Sequence, residues 1–218
     1  MAIIKKALVL VITFVFMGSG LVAAIEEPVN LTSGEITGTL VDDGVQAFLG
    51  IPYAAAPVGD LRWKPPQQAI PWKGIKVTDR HGPGCIQPGA LYMSEDCLFL
   101  NLWTKADDNE KLPVMVWIHG GGWAFGSNSV GTYDGAAFAN NGVVLVSVNY
   151  RMNSFGFMAH PALSAESENG VSGNYAILDH IAALEWVQDN IEEFGGDKNN
   201  VTIFGESAGG ASIYSLLA

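Results

Sequence analysis

One stretch, Gly205-Glu206-Ser207-Ala208-Gly209-Gly210, limits what this chain can fold into more than any other. The apolar run Val201-Thr202-Ile203-Phe204 leads into it, and Ala211-Ser212-Ile213-Tyr214-Ser215-Leu216-Leu217 leads out. The pattern predicts strand, tight turn and helix in succession. The turn has the form G-x-S-x-G, which sets a serine at the tip of a sharp strand-to-helix turn. Such a serine is held in a strained backbone conformation, where bulky neighbours collide. Gly205 and Gly209 leave room, so the Ser207 hydroxyl stands clear. The helix that follows aims its N-terminal amides at the same spot, where negative charge develops during acyl transfer. Five residues of this form also occur by chance in Gly- and Ser-rich loops, so the rest of the chain decides.

The 218 residues suffice for one domain with a sizeable core. Apolar residues make up 49% and charged residues 15%, the balance of a globular chain with buried strands. The first residues read differently. Lys5 and Lys6 precede the apolar run Ala7 to Met17, and Val22-Ala23-Ala24 supplies small side chains at a cleavage site. Residues 1–24 are read as a secretory signal peptide and residues 25–218 as the mature part. The rival reading is an uncleaved anchor, for which the apolar run is short. Loss of Lys5 and Lys6 moves the net charge from −11 to −13. That acidity disfavours nucleic acid or an anionic membrane as partner and suits a secreted or periplasmic protein. Cys85 and Cys97 are the two cysteines. In an exported chain an isolated pair is expected to close a small disulfide loop; the rival, a zinc site with His81, has three candidate ligands and the wrong compartment. Asn30-Leu31-Thr32 and Asn200-Val201-Thr202 match the glycosylation sequon, the second expected to be partly buried in the strand before the elbow.

Taken in order, Gly34 to Leu40 and Val45 to Ile51 flank Asp42-Asp43-Gly44 and read as a β-hairpin. Pro52 to Pro71 is rich in proline and aromatic residues and reads as an ordered irregular segment. Glu95 to Trp103 alternates as a strand, while Leu112 to Ile118 and Val143 to Val148 are continuous apolar strands buried on both faces. A helix runs from a cap at Asn174 to Gly195-Gly196, with Ile177, Ile181, Leu184, Val187 (or Gln188) and Ile191 recurring at 3–4 spacing. Buried strands separated by helix and loop predict an α/β protein with a mainly parallel sheet, whose sites lie at the carboxyl ends of the strands.

His119-Gly120-Gly121-Gly122-Trp123 stands at such an end. A tetrahedral oxyanion needs two or three backbone amides aimed at it, and glycines let the backbone approach. HGGG-type loops supply them together with the amide after the nucleophile, here Gly121, Gly122 and Ala208. A phosphate loop is excluded because Ser127 follows Gly126 where a lysine is required. With both motifs in hand, the chain resembles the type-B carboxylesterase family, which includes cholinesterases and bacterial esterases. The resemblance spans about residues 30–218. It rests on Phe48-Leu49-Gly50-Ile51-Pro52-Tyr53-Ala54, Pro57-Val58-Gly59, Glu95 to Asn101, Phe194-Gly195-Gly196-Asp197 and Val201 to Gly210. It implies an α/β-hydrolase fold, a central mostly parallel sheet with flanking helices, here truncated after the nucleophile elbow. It also implies Ser207 as nucleophile, Gly121, Gly122 and Ala208 as oxyanion hole, a Cys85–Cys97 disulfide, and structural ion pairs of Arg62 with Glu95 and Arg151 with Asp197.

The chain departs from the family in two places. The cysteine loop is short and carries no tryptophan, unlike the choline-binding loop of cholinesterases. The triad acid and histidine of the family lie downstream, in the order Ser, acid, His, and the chain ends 11 residues after Ser207. His119 is read as shaping the oxyanion loop, and His81, His160 and His180 as surface or packed residues. The reading is the N-terminal portion of an exported serine esterase that needs no metal or cofactor and takes a small-molecule ester. A non-catalytic cholinesterase-like binding protein and an inactive product of a truncated gene are the alternatives.

Overall fold

The computed structural model describes residues 24–89, 91–107 and 109–218. The proposed signal peptide lies outside them, apart from Ala24. Four strands open the chain: β1 (Val29–Leu31), β2 (Gly34–Thr37), β3 (Thr39–Leu40) and β4 (Gln46–Pro52). Three short ones follow, β5 (Ile75–Val77), β6 (Gly84–Cys85) and β7 (Met93–Ser94). The long strands are β8 (Phe99–Thr104), β9 (Leu112–Ile118), β10 (Val144–Val148) and β11 (Gly196–Gly205). The helices are α1 (Ala136–Asn140), α2 (Asn153–Phe157), α3 (Pro161–Glu166), α4 (Tyr175–Asn190) and α5 (Ala208–Leu216).

Six strands form the central sheet in the order β11-β9-β10-β8-β4-β3. Pairing is parallel among β11, β9 and β10, and antiparallel from β10 through β8 and β4 to β3. The expected parallel arrangement thus holds where the two motifs lie, and the first part of the chain adds an antiparallel flank. β3 and β4 form the predicted hairpin, with Thr39 opposite Ala47. The segment before Gly38 does not belong to it: β2 joins β1 and β5 in a separate three-stranded sheet.

Two apolar layers cover the sheet. Val114, Val116 and Ile118 of β9 share one core with Val144, Val146 and Val148 of β10 and with Ala176, Ala183 and Val187 of α4. Met115 and Trp117 point the other way, toward Trp103, Leu145 and Ala139 of α1. β10 is buried along its whole length, as predicted. β9 is not: Met115 and Trp117 are half-buried, because the short α1 covers less of that face.

Helix α4 starts where predicted and ends at Asn190, with a 3-10 turn over Ile191–Phe194 completing the expected span. Val187 and Ile191 of the predicted stripe are fully buried, but the rest of the inward face differs. Tyr175, Ala176, Asp179, His180, Ala183, Trp186, Val187 and Asn190 are buried, whereas Ile177 and Leu184 are half-buried and Ile181 is 40% exposed. Small residues at Ala176 and Ala183 let the helix lie close on the sheet, and Ile181 and Leu184 of the stripe are turned toward Val201, Ile203 and Leu216, with which they line an open groove. Asn174 precedes the helix in a left-handed conformation, φ 56°, without a side-chain capping bond.

Candidate active site

The elbow forms where β11 turns into α5. Ser207 has φ 55° and ψ −119°, a region a side chain enters at a cost of about 1–3 kcal/mol. Packing enforces it. A side chain at Gly209 would overlap the Ile118 carbonyl oxygen, so the turn lies directly on the end of β9. Gly209 N–H closes the turn on Glu206 O at 2.9 Å, and Ala211 N–H bonds Ser207 O at 3.0 Å as the helix starts. Ser207 remains exposed while Ala208 and Gly209 are buried.

The glycine loop runs alongside. A Cβ placed on Gly120 would come within 3.1 Å of the Ser207 Cβ and against the Glu206 carboxylate. Gly121 and Gly122 have φ 105° and 62°, and Ala124 and Phe125 N–H return to Gly121 O at 3.0 and 3.2 Å. The N–H groups of Gly121, Gly122 and Ala208 donate to no acceptor among the described residues. Serine and candidate oxyanion donors therefore meet at the carboxyl ends of β9 and β11.

Comparison with known proteins gives this geometry a family. A model of the carboxylesterase family matches residues 26–218. The chain belongs to that family. It is 53% identical over 193 residues to a fumonisin B1 esterase of Sphingopyxis macrogoltabida, covering 85% of this chain and 35% of that protein. A para-nitrobenzyl esterase of Bacillus subtilis is 44% identical over 195 residues, again 85% of this chain and 39% of the relative. The crystal structure of a Geobacillus stearothermophilus carboxylesterase superposes with a TM-score of 0.81 at 48% identity, over 87% of this chain and 40% of that one. The chain thus spans well under half the length of the relatives it matches.

In this carboxylesterase-family chain, side chains from distant segments fix the glycine loop. The Tyr150 hydroxyl donates to His119 O at 2.7 Å, and its ring stacks on the imidazole at 4.5 Å. His119 Nδ1 lies 2.8 Å from Gly120 O, a pure acceptor, so Nδ1 carries the proton. Burial lowers the His119 pKa to about 4, against a smaller opposing effect of that hydrogen bond. His119 is therefore a neutral strut at ordinary pH and a poor base. His180 packs edge-on against Tyr150 at 4.4 Å, and burial lowers its pKa to about 3. His160 Nδ1 caps α3 by accepting Ala162 N–H, and His81 rests against Trp103. Trp123 Nε1 donates to Ser212 Oγ of α5 at 2.9 Å, tying the loop to the elbow helix. Asn153 donates from its backbone N–H to Trp123 O and from Nδ2 to Ala124 O, both at 2.8 Å. Tyr150, Asn153 and Ser212 have no sequence signal of their own, since each works from outside the motif.

The scaffold residues fall in three places. Cys85 and Cys97 are joined, with Cα atoms 5.0 Å apart. Arg62 holds Glu95 with two bonds, Nε to Oε2 at 2.5 Å and Nη2 to Oε1 at 2.6 Å. Arg151 does not pair with Asp197. It pairs with Asp179 of α4, through Nη2 to Oδ1 at 2.7 Å, Nε to Oδ2 at 2.9 Å and its backbone N–H to Oδ2 at 3.0 Å. Both side chains are buried, 3% and 0% exposed. Burial pushes the Asp179 carboxyl up, and the bonds and charge of Arg151 oppose this. Topology explains the correction. Arg151 follows the carboxyl end of β10, whereas Asp197 lies at the start of β11, and the two strands run the same way in the sheet. Asp197 instead accepts Asn199 N–H at 2.9 Å. Asn200, expected to be partly buried, is exposed, because β11 is an edge strand with a register break between Gly196 and Val201.

Proposed function

We propose that the protein hydrolyses carboxylic esters through an acyl-enzyme on Ser207. The observation that carries this reading is the exposed, strained serine beside a glycine loop with free N–H groups. Ser207 Oγ attacks the ester carbonyl carbon while a histidine takes its proton. The amides of Gly121, Gly122 and Ala208 hold the oxyanion, and the alcohol leaves with that proton. Water then attacks the acyl-serine by the same route, releasing the acid. The histidine and its acidic partner are assigned to the part of the family's length that these 218 residues do not cover. His119 does not serve, since a base of pKa about 4 is mismatched to proton abstraction at neutral pH. The reaction uses protein groups and water alone. Residues 1–24 act as the export signal of this reading and residues 25–218 belong to the catalytic domain; a mature N-terminus at Ile25, read by peptide mass, checks it. The substrate class is a small-molecule ester, and the esterase names of the relatives support that class.

The test is hydrolysis of a nitrophenyl ester by the intact protein, beside its Ser207→Ala variant. Loss of the nucleophile leaves at most a remnant of about 10³–10⁴-fold over water. Equal rapid turnover in both would mean that another group does the chemistry.

A further inference from the structure

The disulfide-closed loop reaches into the oxyanion loop through one side chain. Gln87, two residues after Cys85, accepts Gly126 N–H on Oε1 at 2.8 Å and donates from Nε2 to Gly126 O at 2.8 Å. Nε2 also donates to Cys85 O at 3.0 Å. The amide orientation is fixed, because a flipped amide would set N–H against N–H and oxygen against oxygen. Gly126 in turn lies against the start of the glycine loop. Its φ is 123°, and a Cβ there would come within 2.8 Å of Gly120 O and press on the His119 ring. A continuous path of contacts runs from the Cys85–Cys97 bridge through Gln87 and Gly126 to His119 and Gly120. Gly121 and Gly122 follow directly.

We infer that Gln87 is a positioning residue for the oxyanion hole, holding the Gly121 and Gly122 amides in register with Ser207 by anchoring Gly126 to the disulfide loop. The inference rests on the esterase reading for its catalytic consequence but not for the contact itself. Oxyanion donors act on charge present in the transition state, so a loosened loop lowers turnover more than it weakens substrate binding.

Two variants of equal side-chain length separate the parts. Gln87→Met removes donor and acceptor. Gln87→Glu keeps an acceptor for Gly126 N–H and loses the donor to Gly126 O. Each is made in the intact protein and followed by hydrogen exchange in residues 119–127 and by ester turnover per active serine, titrated with a phosphonate. In Gln87→Met, exchange of Gly126 rises about tenfold, the scale of one or two lost hydrogen bonds. Turnover falls by a similar factor with KM changed less than twofold. In Gln87→Glu, Gly126 stays protected while turnover still falls. A merely structural residue would lower the melting temperature and the titratable fraction, and leave turnover per serine and loop exchange as they were; that result overturns the inference. Failure of both variants to fold overturns it too, since a positioning contact acts on the loop and not on the whole domain. If the unaltered protein hydrolyses no ester, the esterase reading fails, and unchanged Gly126 exchange in Gln87→Met would still sink the clamp independently.

Discussion

The elbow and the oxyanion loop face each other across the carboxyl ends of β9 and β11, yet they are held by different means. Backbone packing holds the elbow: Gly205 and Gly209 sit on the Ile118 carbonyl, and this close approach to the end of β9 forces Ser207 into its conformation. Side chains hold the loop. Gln87, Asn153, Tyr150 and Ser212 reach it from four separate segments. A site half built from backbone contact and half from polar tethers concentrates its tolerance to substitution in one half.

Glycine substitutions give the sharpest contrast. Gly209→Ala places a Cβ on the Ile118 oxygen, and the elbow cannot shift without parting α5 from the sheet. The expected loss is about 3 kcal/mol or more, at or above the top of the usual range for overpacking a core. Gly122→Ala meets nothing within 4 Å and suffers mainly from its φ of 62°, a cost of about 1 kcal/mol. Urea unfolding of the two variants measures the difference. Equal losses would mean that the loop is as tightly packed as the elbow.

The second contrast concerns the carboxylates around the site. Asp179→Asn leaves the Arg151 guanidinium buried without its counter-charge and is expected to cost roughly 3–5 kcal/mol. Asp197→Asn alters a half-buried position at the start of β11 and is expected to change stability by less than about 0.5 kcal/mol. The reverse ranking would restore the pairing that the family resemblance implied.

Acid probes the tethers as a group. His119 and His180 are buried neutral, with folded pKa values of about 4 and about 3 against 6.5 when exposed. As pH falls below 6.5 the unfolded chain takes up protons that the folded chain refuses until near pH 4. Stability from the two rings is therefore full above pH 6.5 and is lost on acidification, by about 3 kcal/mol in total at pH 5.5. Asp179, its pKa raised by burial, contributes with the opposite sign. Thermal melts of the unaltered protein and of a His180→Gln variant between pH 7.5 and 5.5 isolate the histidine share. A loss of the same size in both would exclude His180 as a source.

Much of this arrangement was legible in the sequence because it is local. The apolar runs at β9 and β10 and the G-x-S-x-G turn each state their structure within a few consecutive residues. Helix α4 showed its period but not its phase. Of its large aliphatic residues Val187 and Ile191 are buried as promised, while Ile181 and Leu184 give way to Ala176, Ala183 and an ionic Asp179 on the inward face. Close approach to a sheet favours small residues, and a buried charge is recognisable once its partner is known. The tethers were illegible for a related reason. Gln87 and Gly126 are 39 residues apart, Asn153 and Ala124 are 29 apart, and Trp123 and Ser212 are 89 apart. No periodicity links such pairs, and one amide or hydroxyl looks like any other until the fold brings it to its acceptor.

The smallest effect on the loop tests a tether that joins the two halves. Ser212 is fully buried in α5, and its Oγ accepts the Trp123 indole N–H at 2.9 Å. Ser212→Ala removes that acceptor and leaves the indole N–H unsatisfied in a partly buried position. The cost is about 1 kcal/mol, the usual contribution of one neutral hydrogen bond. Backbone contacts fix the elbow without Ser212, so Ser207 keeps its conformation and its reactivity toward a phosphonate. Trp123, no longer anchored to α5, is still held through its carbonyl by Asn153 N–H at 2.8 Å. The indole therefore gains freedom while the loop backbone does not. Time-resolved fluorescence anisotropy should register this as a faster local motion of one tryptophan, with hydrogen exchange in residues 119–127 unchanged. If loop exchange instead rose as far as in Gln87→Met, the indole bond would rank as a principal support of the loop. The division between a backbone-held elbow and a loop tethered chiefly by Gln87 and Asn153 would then have to be redrawn with α5 as part of both.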